Sequence, residues 1–193
     1  MGSIVQHLTS GQQRKIPALL RVCPLFAAFT DEELSRLLPK LRLEILTFPQ
    51  GETVISINDV VDRLFLVVFG RLAEQRALAG AAPHCFGYHK AGDLFGLETY
   101  FSTPKRSPVE VVAVENSSVL SFLPDVLESK RYFPRFSRAS NQILANRAVE
   151  ATLCIDVLRG TSLREKIMTY FSAMKDKFCS DMFQVPMPAL CPM

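Results

Sequence analysis

The sequence predicts an α+β protein: N-terminal helices, an antiparallel β jelly roll, one long helix, and the start of a further helical domain. Three observations carry this. Between Leu41 and Leu123, short runs of alternating apolar and polar residues are separated by turn signals, the pattern of a roll and not of helices. Residues 136–159 then run without Gly or Pro, long enough for one continuous helix. Of the 193 residues 48% are hydrophobic and 14 are Phe, so one domain of ordinary size with appended elements can bury a full core.

Charge and cysteine content exclude several classes. A formal net charge of +3 is too small to imply nucleic-acid binding by itself. Cys23, Cys85, Cys154, Cys179 and Cys191 are widely scattered with no C-x-x-C pair, which argues against a zinc site or a disulfide framework. The longest apolar run, Leu64 to Phe69, is too short to span a bilayer, and the N-terminus lacks a signal-peptide pattern. The expectation is a cytoplasmic protein without a membrane partner.

The elements follow in order. Residues 1–10 show no periodicity and read as frayed. A first helix is expected across 12–22, starting nearer Pro17, and Cys23-Pro24 ends it. Thr30 can cap a second helix with Glu33 as its capping-box partner. Strands follow over 41–47, 53–57, 64–69, 72–77, 84–89, 109–114 and 119–123, with turns at Gly51, Asn58-Asp59 and Gly70. In the long helix Leu144, Ala148, Ala151, Ile155 and Leu158 recur at spacings of 4, 3, 4 and 3, an a/d seam that calls for a partner helix. Gly160 closes that helix, and Thr161 or Ser162 caps the next.

The most informative stretch is Gly92 to Phe122. Gly92 and Gly96 bracket Asp93, Leu94 and Phe95, and glycines so placed allow positive φ or close approach of another backbone. Between Pro104 and Pro108 a stiffened loop presents Lys105, Arg106 and Ser107, two cations and a hydroxyl suited to an anion such as a phosphate or carboxylate. A solvated surface turn is the plain alternative.

Gly92, Asp93, Phe95, Gly96, Arg106, Ser107 and Ala113 fall on a pattern that resembles the cyclic-nucleotide-binding core of the Crp/Fnr transcription regulators, over about residues 20 to 188. The resemblance implies a domain plan. Residues 1–40 would be an N-terminal helical segment, 41–134 the cyclic-nucleotide-binding-like roll, 135–160 a dimerisation helix, and 161–193 a partial winged helix-turn-helix. It implies a homodimer through Leu144, Ala148, Ala151, Ile155 and Leu158. It also implies a small anionic effector held around Gly96, Leu97, Glu98, Lys105, Arg106 and Ser107, with Arg106 as the main cation, and promoter DNA as partner of a full-length form. Phe183 to Met187 resembles the element that precedes the DNA-reading helices. Pro188 to Met193 stands where those helices should begin, and two prolines there leave no room for a recognition helix, so the 193 residues are expected not to read DNA sequence.

Departures from the family pattern bear on the effector. In members that bind cyclic AMP a Glu follows the second glycine and holds the ribose; here Leu97 stands there and Glu98 comes one residue late. Arg106-Ser107 comes one residue early, and Pro108 replaces a small residue. Losing a buried carboxylate partner costs on the order of 1.5 to 3 kcal/mol, which argues against cyclic AMP. No cofactor is called for, and family members with iron–sulfur clusters carry clustered N-terminal cysteines where this chain has Cys23 alone. Two alternatives compete. A cupin-type metalloenzyme needs three converging ligands, but His84 and His89 are five apart and His7 lies at the start, so no metal site and no catalytic set assembles. A stand-alone cyclic-nucleotide-binding-like domain acting through protein partners would not explain the helix after Gly160.

Overall fold

The structure, a computed structural model, describes residues 4–6, 16–77 and 83–178. The first described segment already departs from expectation. Ile4–Gln6, in the stretch read as frayed, forms strand β1, which pairs antiparallel with β2 through Ile4 opposite Thr47 and Gln6 opposite Ile45. Three residues are too few for periodicity to show, and only the pairing defines them. Helix α1 (Ile16–Val22) begins beside Pro17, whose missing N–H costs nothing in a first turn. A 3₁₀ turn at Pro24–Phe26 follows, then α2 (Asp31–Leu37). The capping box is formed as expected: the Glu33 amide donates to Thr30 Oγ1 at 3.3 Å, and the Thr30 amide donates to the Glu33 carboxylate at 3.0 Å.

The roll is built from β2 (Glu44–Phe48), β3 (Thr53–Ile55), β4 (Leu64–Phe69), β5 (Arg71–Arg76), β6 (His84–Lys90), β7 (Leu94–Phe95), β8 (Glu110–Ala113) and β9 (Ser117–Phe122). One sheet has the order β1-β2-β9-β4-β7 and the other β3-β8-β5-β6, with antiparallel pairing throughout. Leu41 to Leu43, expected as the start of the first strand, instead leave a 3₁₀ turn, and Arg42 takes φ 45°. The inner faces of both sheets meet in one core of Phe48, Ile55, Val61, Val67, Leu72, Phe95, Val111, Ala113 and Val119. Each fully buried side chain of this size contributes roughly 1.5–3 kcal/mol.

Four turn glycines, Gly51, Gly70, Gly92 and Gly96, all adopt positive φ, between 84° and 93°. At Gly70 the need is also steric: a Cβ there would stand 2.3 Å from Ser117 Oγ and 2.6 Å from the Asn116 carbonyl oxygen. The β4–β5 corner thus seats directly on the start of β9. At the other end of its sheet, β6 is an edge strand whose Phe86 and Tyr88 are exposed, with a register irregularity opposite Glu74 and Gln75.

A second apolar layer surrounds Phe26, which packs 5.6 Å from Phe122 of the roll and 5.9 Å from Phe29, while Phe29 lies 6.0 Å from Tyr132. Burial in this layer pushes the Cys23 thiol up to about 11, so it stays protonated at neutral pH. Helix α4 (Phe133–Arg159) starts earlier than the Gly- and Pro-free run because Pro134 is tolerated in a first turn. Its Phe136 is fully buried and its Arg135 pairs with Glu33. Residues to Asn141 make one unit and those from Gln142 a second. The second unit holds the rest of α4 and α5 (Leu163–Phe178), whose start is capped by Ser162 Oγ accepting from the Glu165 amide at 3.2 Å. Gly160 ends α4 without a left-handed turn, contrary to the expected C′ geometry.

Gly51 and Gly70 share φ 84°, but a Cβ at Gly51 meets nothing within 4 Å. Gly51→Ala should therefore cost about 1–2 kcal/mol for the left-handed backbone alone, and Gly70→Ala about 1–3 kcal/mol more from overpacking. Urea midpoints of the two variants measure the difference, and equal losses would contradict the close seat on β9. The hydrogen bond from Arg135, with the Thr30 amide adding to it, holds the Glu33 carboxyl at about 2, against an unfolded value near 4.5. Because the folded value is the lower one, this pairing stabilises the fold above about pH 4.5 and is lost as pH falls toward 2. Arg135→Ala should flatten the stability profile of acid titrations in that window, with little change in its shape near neutral pH.

Candidate effector site in the roll

The segment between β6 and β8 is folded by its glycines. Gly92 donates its amide to the Val67 carbonyl at 2.9 Å, and the Val67 amide donates to the Asp93 carbonyl at 3.0 Å. The turn is closed by the Asp93 carboxylate, which accepts from the Lys90 amide at 2.9 Å. This sets β7 against β4, a two-residue strand the periodicity could not show. Gly96, at φ 86°, then begins the short helix α3 (Leu97–Phe101), its carbonyl accepting from the Tyr100 amide at 2.8 Å. A Cβ at Gly96 would press on Phe65, Val61 and the Arg63 carbonyl at 3.3–3.4 Å. Leu97 is fully buried and Glu98 half-buried.

The loop that follows is zipped to residues 58–61. Val61 donates to the Lys105 carbonyl at 3.0 Å, Ser107 to the Asp59 carbonyl at 2.9 Å, and Asn58 to the Ser107 carbonyl at 2.8 Å. This pairing fixes which way each side chain points, and it separates the three residues expected to converge on one anion. Lys105 lies outside with Nζ 4.0 Å from the centre of the Tyr100 ring. The Arg106 guanidinium is exposed and donates to the Asn58 carbonyl at 2.7 Å. Ser107 is turned inward, 3% exposed, and its hydroxyl donates to the Val109 carbonyl at 2.7 Å. Within β8, Val111 and Ala113 face the core.

Tyr100 bridges the loop to the segment before α4. Its hydroxyl donates to Glu128 at 2.7 Å, and burial, reinforced by Glu128, raises the phenol well above its ordinary value. Its neighbour Phe101 reaches Phe136 at 6.0 Å.

Polar groups on the inner face come from elsewhere. Leu72 and Glu74 of β5 stand opposite His89 and Gly87 of β6 and opposite Ala113 and Val111 of β8. His89, 8% exposed, hydrogen-bonds Glu74 through Nε2 at 2.8 Å and stacks on Phe95 at 5.1 Å, which in turn stacks on Phe65 at 5.1 Å. The sequence reading missed this pair, although the alternation of β5 and β6, once aligned by register, would have placed both residues inside. No group of three or more metal-ligating side chains occurs among the described residues.

In the second unit the expected seam is open to solvent. Ile155 and Leu158 are 53% and 64% exposed, Ala148 and Ala151 are exposed, and Leu144 is half-buried. No helix among the described residues is long and apolar enough to cross a membrane.

Residues 45–130 match the family model of the cyclic nucleotide-binding domain. The chain is 26% identical to the cyclic AMP receptor protein of Thermus thermophilus over 163 residues, 84% of this chain and 74% of that one. The crystal structure of the Thermus thermophilus catabolite activator protein matches with a TM-score of 0.59 at 25% identity, covering 86% of this chain and 78% of the other. The sensor domain of the transcriptional regulator DNR from Pseudomonas aeruginosa shares the fold, with a TM-score of 0.59 at 17% identity, 78% of this chain and 97% of that one. The resemblance to Crp/Fnr-type regulators drawn from the glycine cassette is thus shown, and the roll matches the cyclic nucleotide-binding domain over residues 45–130.

Proposed function

We propose that the chain is the effector-sensing and dimerisation part of a Crp/Fnr-type transcription regulator, in which a small anionic molecule bound in the roll controls promoter binding by a helix-turn-helix. The observation that carries this reading is the joining, in one chain, of a matched sensor roll to a helix whose a/d seam is left exposed. Helix α5 then stands as the opening helix of the DNA-binding domain. Residues 179–193, read as the remainder of a partial winged helix-turn-helix, lie outside the described ones.

Within the roll, Gly96 and Leu97 frame the ligand and Ser107 offers a hydroxyl from the inner face. Glu98, Lys105 and Arg106 form the outer side of the same cassette. Similarity to a protein named for cyclic AMP raises that nucleotide as a candidate, but Leu97 where a ribose-holding carboxylate is expected, and an Arg106 held on the Asn58 carbonyl, favour a different anion. The alternative of a stand-alone domain acting through protein partners is not supported by any observation of its own.

The sensor reading is tested by dye-detected thermal melts of the full chain, a suitable format because the chain has no Trp. Cyclic nucleotides, organic acids and phenolic anions are screened; a true effector at a hundredfold excess over Kd should add about 2.7 kcal/mol of stability, and no shift from any class would sink the reading. Dimerisation is tested separately. Ile155→Asp places an unpaired carboxylate in the seam, so the wild type should sediment as a dimer and the variant as a monomer of 21.6 kDa.

A further inference from the structure

We propose that Tyr100 straps the cassette helix α3 to the start of α4, so that the two open and close as one unit. The coupling is a property of the fold alone; its use in signalling rests on the sensor reading above.

Helix α3 cannot stand by itself. Its five residues, Leu97–Phe101, fall far short of the length at which a helix is stable in water. What holds it is tertiary: Leu97 and Tyr100 are buried, while Phe101 is 46% exposed. Toward Ser107 the chain is fixed by the backbone zip to residues 58–61. The remaining ties fall on two consecutive residues. The Tyr100 hydroxyl donates to the Glu128 carboxylate at 2.7 Å, and the Phe101 ring lies 6.0 Å from that of Phe136. Both partners belong to the passage from β9 into α4.

Glu128 stands where a displacement is passed on. The next residue, Ser129, accepts at its carbonyl from the Phe133 amide at 2.8 Å, the bond that opens α4. Phe136, fully buried, donates its amide to the Tyr132 carbonyl at 3.0 Å in the same first turn. At the other end of the strap, Lys105 Nζ lies 4.0 Å from the centre of the Tyr100 ring, a cation–π contact. The ring is thus tied by its face to the cassette loop and by its hydroxyl to the lead into α4. One side chain touches all three segments.

The bond suits this role. A phenol donating to a carboxylate is among the stronger hydrogen bonds. Burial, reinforced by Glu128 and by Asp125 and Asp62, holds the phenol well above its ordinary range, so it stays a donor at physiological pH. Titration of Tyr100 therefore does not undo the strap there; moving one of its ends does.

Native-state amide exchange of the full chain, read by mass spectrometry of its peptides, tests this without any ligand, so the outcome is separate from that of the effector screen. The proteins are the wild type, Tyr100→Phe, Glu128→Ala and Arg106→Ala; Glu128 is exposed, so its variant should fold even if Tyr100→Phe does not. The expected result is that Tyr100→Phe and Glu128→Ala each speed exchange about tenfold both in 97–103 and in 131–137, with β4 and β9 unchanged. Arg106→Ala, which removes the bond to the Asn58 carbonyl, should speed exchange around 58–61 and 104–108 and leave the start of α4 alone. If 97–103 exchanges faster while 131–137 keeps its wild-type rate, Tyr100 anchors only its own helix and the proposal is wrong. A rise shared by β4 and β9 would mark a loss of global stability, and unchanged rates everywhere would mean that the bond couples nothing. Either result overturns the strap and leaves the sensor reading untouched.

Discussion

The two-residue period of the pleated strand decides more about this protein than any single contact. Once β5 is held between β6 and β8, each of its side chains is committed to the core or to solvent, and so are those of β8. Ser107 is buried and the Arg106 guanidinium is exposed on a loop whose backbone is zipped to Asn58, Asp59 and Val61. The chemistry on offer inside the roll is a consequence of that phase.

Much of the architecture was legible because it rests on local physics. The Thr30–Glu33 capping box needs only four residues and formed as read. The four turn glycines were marked by spacing, and each sits in the region of backbone space that side-chain-bearing residues avoid. Leu64 to Phe69 was evident from its unbroken apolar run. What escaped notice depends on pairing at a distance. β1 and β7 are three and two residues long and exist only as partners of β2 and β4, so no window of sequence contains their signal. The candidate site suffered most from this. Glu74 and His89 are fifteen residues apart and meet only through register, while Arg106 matched a motif whose letters carry no information about which side of the sheet a residue takes.

Electrostatic links tie the layers together more than they stabilise each of them. Arg63 donates to Ser121 at 2.6 Å and to the Arg42 carbonyl at 2.9 Å, and lies 3.3 Å from Glu44, so one guanidinium holds the ends of β2 and β9 beside the entry to β4. Glu33 closes the α2 cap and also receives Arg135 from the first turn of α4. Such exposed pairs add modest energy. Their weight lies in orientation, since each fixes where a helix or strand end meets its neighbour.

The free rim at β6 carries a cost in colloidal behaviour. A terminal strand with the aromatic rings of Phe86 and Tyr88 turned to water invites another chain to add itself there, and crowding or partial opening of the roll sharpens the invitation. Two features of the same strand blunt it. The irregular register around Phe86 breaks the flat template an added strand would need, and Lys90, with Arg71 poised 5.3 Å over the Tyr88 ring, sets positive charge along the rim. A change that straightened the bulge or removed the cations would leave a flatter, less charged edge for another chain to extend.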